Sequence, residues 1–113
     1  KPYCFVGDIG NAIQKHAHKY NYGVVKDLCG HGVGIKFHEE PEIAHYGKKG
    51  SGMPLVPGMT FTIEPMINMG TWRVFVDADD PYGWEVITED EMPSAQWEHT
   101  LLMTDHGVEV LTY

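Results

Sequence analysis

The sequence predicts an α+β domain in which one amphipathic helix leads into an antiparallel sheet. Three observations carry this. A chain of 113 residues is the length of one domain. An apolar stripe at helical spacing is confined to its start, and the rest is a series of short β-branched and aromatic runs punctuated by glycine and proline. With 42% hydrophobic residues and no apolar run near the ~18 residues of a membrane span, no membrane partner is expected. Eight basic against 16 acidic residues give a net charge of −8, which repels phosphate backbones and excludes nucleic acid. Only Cys4 and Cys29 occur, with no disulfide framework or paired zinc motif, so a reducing, cytoplasmic setting is expected. The chain opens on Lys1-Pro2-Tyr3, without an initiator methionine or a signal-peptide layout, and reads as a piece of something longer.

Taken in order, Asp8 is a helix-capping residue, and Ile9, Ala12, Ile13, Ala17 and Tyr20 follow on one face, so a helix is expected from Asp8 to about Tyr20. Asn21-Tyr22-Gly23 ends it with a residue tolerant of positive φ, and Val24-Val25 suits a short strand. From Gly30 to Gly52 there are six glycines, three histidines and a proline, and the stretch is read as mostly irregular. After the Pro57-Gly58 turn, Met59, Phe61 and Ile63 alternate with Thr60, Thr62 and Glu64 as a strand that Pro65 stops. Further strands are expected over Trp72 to Val76, Trp84 to Thr88, Gln96 to Thr104 and Val108 to Leu111. Asp77 to Gly83 reads as an exposed acidic loop.

Three side chains with metal-ligating chemistry stand out. His31 lies in Cys29-Gly30-His31-Gly32-Val33-Gly34, where flanking glycines permit unusual backbone angles and leave room for a ligand. Glu64 and Glu98 each sit on the polar face of a strand, Glu98 sharing its face with Gln96 and Thr100. If those strands are neighbours, the polar faces line one cleft. One imidazole with two carboxylates suits Mn²⁺, Fe²⁺, Co²⁺ or Zn²⁺ in a hydrolytic site. His38, in Phe37-His38-Glu39-Glu40-Pro41, is placed to donate to a substrate carbonyl or oxyanion. His16, His18, His45 and His106 are read as having no role, and Met53, Met59, Met66 and Met69 as flexible core filling.

Three segments in this order, CGHGVGIKFHEEP (Cys29 to Pro41), PGMTFTIEPMINMG (Pro57 to Gly70) and SAQWEHTLLMTDHGVEVL (Ser94 to Leu111), resemble methionine aminopeptidase. The helix text DIGNAIQKHAHKYNYGVV also fits. The interval from His38 to Glu64 lacks the helical insertion of the type 2 enzymes, so the type 1 branch is the closer match.

The resemblance implies the C-terminal half of a pita-bread fold, with residues 1–113 as one partial domain of a peptidase M24 type. It implies His31, Glu64 and Glu98 as metal ligands, with Glu98 bridging two divalent ions, and Glu64 and His38 as catalytic groups. Glu64 would shuttle the proton of the attacking water while His38 steadies the oxyanion. His38, Phe37 and Trp84 would contact the substrate's N-terminal methionine. The family's two ligand aspartates and its other active-site histidine belong to the first half of the fold. They have no counterpart here, since Asp8 and Asp27 fall within the matched helix and the approach to His31. The half-fold is therefore expected to be inactive alone, to bind at most one ion, and to pair with its missing half or with a second copy. A non-catalytic binding module of the same fold and a prolidase-like dipeptidase are the alternatives.

Overall fold

In the computed structural model, which describes residues 1–112, the α+β expectation and the antiparallel pairing both hold. One helix, α1 (Val6–Lys19), precedes ten short strands: β1 (Gly23–Val24), β2 (Gly30–Gly32), β3 (Glu39–Ile43), β4 (Thr60–Ile63), β5 (Met66–Asn68), β6 (Val74–Val76), β7 (Val86–Thr88), β8 (Ser94–Gln96), β9 (His99–Thr104) and β10 (Gly107–Val110). They form a five-stranded sheet ordered β10-β9-β4-β2-β3, a three-stranded sheet ordered β1-β5-β8, and the ribbon β6-β7.

The helix begins two residues before the expected Asp8, because Asp8 acts from the third helical position. Its carboxylate reaches back to accept the Phe5 amide at 2.8 Å and also accepts the Gly50 amide at 2.7 Å. These amide hydrogen bonds, Phe5's first, hold the Asp8 carboxyl below its ordinary value. The unpaired amides of the first turn go to the chain packed alongside: Val6 donates to Met53 at 2.9 Å and Gly7 to Ser51 at 2.9 Å. Past the helix Asn21 takes φ 61°, as its residue type allows.

Val6, Ile43, Leu55, Phe61, Leu101 and Met103 are buried together as the core, where helix meets five-stranded sheet. Of the methionines read as core filling, Met59 packs on this cluster, whereas Met53 and Met69 are about half exposed.

One expectation is refined here and one corrected. The Gly30 to Gly52 stretch is mostly irregular, as expected, but it also contains the short strands β2 and β3, whose register shifts between His31 and Gly32. Glycine and proline density hid them. Gln96 to Thr104 is also not one strand: Trp97 and Glu98 interrupt it, because β8 belongs to one sheet and β9 to another.

The chain from Thr60 to Leu102 is one long hairpin that is broken but never slips. Thr60 faces Leu102 and Ile63 faces His99 in the first sheet; Met66 faces Gln96 and Asn68 faces Ser94 in the second. Val74 faces Thr88 and Val76 faces Val86 in the ribbon, all in a single continuous register. Glu64 and Pro65 therefore cross between sheets at the same level as Trp97 and Glu98.

Candidate metal centre

Because the register is unchanged across this crossing, Glu64 falls directly opposite Glu98. Opposed residues on antiparallel strands stand close enough for like charges to repel. His31 is brought to the pair by β2, which lies on the other edge of β4, with Gly32 facing Phe61. One ligating atom each from His31, Glu64 and Glu98 lies within 4.8 Å of the others. The three residues singled out in the sequence are thus assembled at one point.

Glycine flanks His31 for a reason other than the expected one. None of Gly30, Gly32 and Gly34 has positive φ. A Cβ on Gly30 would strike the Thr62 carbonyl, and one on Gly32 the Glu40 carbonyl, so these glycines let β3 and β4 close on the His31 strand. The space is taken by backbone, not by a ligand.

Hydrogen bonds fix two of the donors, His31 and Glu64. His31 Nδ1 is 2.9 Å from the Gly32 carbonyl, which can only accept, so this nitrogen carries the proton and Nε2 presents a lone pair. That lone pair faces Glu64 Oε1 at 3.3 Å, with both side chains largely buried. Two acceptors so close require a proton or a cation between or beside them. Thr62, on the polar face of β4 beside Glu64, is buried. Its hydroxyl donates to Glu64 Oε1 at 2.9 Å and accepts the His31 amide at 3.0 Å, while Gln96 reaches Glu64 Oε2 at 3.4 Å.

An imidazole lone pair with two facing carboxylates fits a divalent transition cation. Cys29 lines a cavity of about 320 Å³ beside His31 and His38, but it adds no soft ligand. Burial first, then the charges of Glu42 and Glu64, pushes its thiol up and keeps it protonated.

The remaining candidates are distributed unevenly. The exposed His38 ring packs edge-on to His31, with centroids 4.3 Å apart, and Phe37 lies 6.0 Å from His31. Trp84 is 77% exposed at the tip of the ribbon, and none of its hydrogen bonds or ring contacts among the described residues joins it to His31, Glu64 or Glu98. Its amide is held at 2.8 Å by Asp80, whose carboxylate also takes the Tyr82 and Glu85 amides and is lowered by these bonds, that from Glu85 foremost.

His45, read as having no role, is wholly buried and accepts the Glu64 amide on Nε2 at 3.1 Å. Spacing carried no signal for it. Burial pushes its imidazole down to about 4, so it is neutral near pH 7.

Along 99% of its length the chain is 53% identical to methionine aminopeptidase B of Synechocystis sp., and likewise 49% identical to the methionine aminopeptidase of Salmonella typhimurium. It spans 40% and 41% of those two proteins. The crystal structure of methionine aminopeptidase from Rickettsia prowazekii superposes with a TM-score of 0.95 at 48% identity, covering 100% of this chain and 45% of that one. The Thermotoga maritima enzyme gives 0.93 at 44% identity, covering 99% and 44%. The architecture is accordingly one half of a pita-bread fold. Residues 1–105 match the model described as metallopeptidase family M24, and the chain belongs to that family.

Proposed function

We propose that residues 1–113 are the C-terminal half of a methionine aminopeptidase of the type 1 branch, which removes the N-terminal methionine of nascent proteins and peptides. The observation that carries this is the convergence of His31, Glu64 and Glu98 within 4.8 Å, in a chain about half identical to such enzymes. His31, Glu64 and Glu98 would hold the first of two divalent ions, Mn²⁺, Fe²⁺, Co²⁺ or Zn²⁺, with Glu98 shared by the second. A reducing, cytoplasmic compartment suits the free thiols Cys4 and Cys29, and no helix among the described residues is long and apolar enough to cross a membrane.

When bound, the cations supply positive charge that polarises the scissile carbonyl and acidifies water. Glu64, held at one oxygen by Thr62 and at the other by Gln96, accepts the proton of the attacking water and returns it to the leaving amine as the C–N bond breaks. His38, beside His31, donates to the oxygen that gains charge in the transition state. Phe37 and Trp84 form the wall for the methionine side chain, whose flexible thioether adapts to an aromatic surface.

The test is release of methionine from a Met-Ala-Ser peptide by the complete protein with Mn²⁺ or Co²⁺. A binding module of this fold would release none, and a prolidase-like enzyme would cleave an Xaa-Pro dipeptide instead. Trp84→Ala in the complete protein is expected to raise KM for methionyl peptides about tenfold with metal content unchanged. Loss of metal would make Trp84 a structural residue.

Residues 1–113 produced alone are expected to show no turnover and to bind no more than one Mn²⁺ per chain by calorimetry. Three donors serve one ion and leave the second with little beyond Glu98. On one side of α1 and β5, Ala12, Ile13, His16, Tyr20 and Ile67 line a largely apolar groove of about 690 Å³. Its coverage by the other half of the fold, or by a second copy, predicts a dimer at micromolar concentration by light scattering. Two tightly bound ions per chain would overturn this half-site account.

A further inference from the structure

We propose that His45 is a positioning residue for Glu64: its buried imidazole stands in for the strand carbonyl that Glu64 gives up, and so aims the carboxylate at His31. Resting on the proposed metal site, this adds a residue outside the ligand set.

The need arises from the crossing between sheets. The β4 ladder ends with Ile63 facing His99, and β5 begins only at Met66. Pro65 has no amide, so Glu64 carries the one N–H in the gap, with no strand to receive it. His45, beyond the end of β3, is 0% exposed and accepts that N–H on Nε2 at 3.1 Å. Since an amide can only donate, Nε2 must be unprotonated and the ring proton must lie on Nδ1. Among the described residues, Nδ1 is buried without a hydrogen-bond partner. Leaving a polar ring atom unpaired in the interior costs stability, and an apolar side chain here would only exchange that cost for an unpaired Glu64 amide.

What the imidazole provides is a fixed backbone at Glu64. The carboxylate is already anchored at its far end by Thr62 and Gln96. With the amide anchored as well, the side chain is held at both ends, and the 3.3 Å approach to His31 Nε2 is set by rigid groups. Outer hydrogen-bond partners of metal ligands typically change affinity ~10–100-fold when removed.

The experiment uses the complete protein with His45→Leu, which removes the acceptor, and His45→Gln, whose Oε1 can take the place of Nε2. Mn²⁺ affinity by calorimetry should fall at least ~10-fold in His45→Leu and stay within about threefold of the parent in His45→Gln. Hydrogen exchange at the Glu64 amide should quicken by a similar factor in His45→Leu alone, with the melting temperature close to the parent's because one unpaired buried group replaces another. Peptide turnover should lose kcat with little change in KM. Should His45→Leu fail to fold, His45→Asn, polar but too short to reach, replaces it. Parent-like Mn²⁺ affinity in the folded acceptor-free variant overturns the inference. If the parent itself binds no Mn²⁺, the metal-site reading fails, and amide exchange still decides: equal rates in parent and variant would show that His45 does not hold Glu64.

Discussion

Glu98→Ala in the complete protein is expected to reduce methionine release by at least ~10³-fold, against about 10²-fold for His38→Ala. The difference follows from position. Glu98 lies directly across the hairpin from Glu64, at the level where both strands pass from the five-stranded to the three-stranded sheet. Its removal takes a charge from the centre of the donor set, and no other carboxylate joins His31 and Glu64 within that cluster among the described residues. His38 is exposed and meets the set through its ring contact with His31, so its loss should leave the cations in place. Steady-state kinetics and metal analysis on the same preparations check both statements. Near-parental turnover in Glu98→Ala would remove Glu98 from the ligands, and loss of metal in His38→Ala would move His38 among them.

Gly10→Ala is expected to destabilise the fold by about 2–4 kcal/mol, although alanine for glycine inside a helix ordinarily stabilises by about 1 kcal/mol. Steric contact reverses the sign. A Cβ at Gly10 would run into the Tyr46 carbonyl and lie 2.9 Å from the Ala44 carbonyl, both of them backbone. Neither atom can swing aside as a side chain can. Relief requires α1 to lift from the segment that follows β3, exposing Val6 and loosening the core beside it. Urea unfolding monitored by circular dichroism measures the change. A variant as stable as the parent would show that the helix does not rest on that backbone.

The sequence predicted the helix, the β4 strand and the antiparallel character correctly because each rests on periodicity or turn chemistry, which act locally. It lost β2 because its glycines serve contacts with neighbouring strands, and β3 because Pro41 stands at its middle. Gly30 is small on account of Thr62, and nothing in its neighbours along the chain says so. The same holds for the site. His31, Glu64 and Glu98 are visible as residue types that local structure does not demand. Thr62 is not, since in a strand pattern a threonine facing solvent and one holding a carboxylate look alike. His45 differs again: its importance lies in one hydrogen bond to a backbone amide, and an amide has no letter of its own. Trp97 and Glu98 look like uninterrupted strand in one dimension because the break is imposed by the partner arm's own departure at Glu64 and Pro65.

The unslipped hairpin also dictates where this chain can change length. Adding one residue between Ile63 and Met66, or between Gln96 and His99, would offset the two arms and leave Glu64 facing the wrong neighbour. Beyond Val76 and Val86 one further backbone bond, from the Asp77 amide to the Glu85 carbonyl at 2.8 Å, continues the register, and the tip between them is closed on itself through the Asp80 carboxylate. Insertions and deletions are therefore admissible at the tip that carries Trp84 and forbidden at the crossing, so the tip can be remodelled while Glu64 and Glu98 stay in frame.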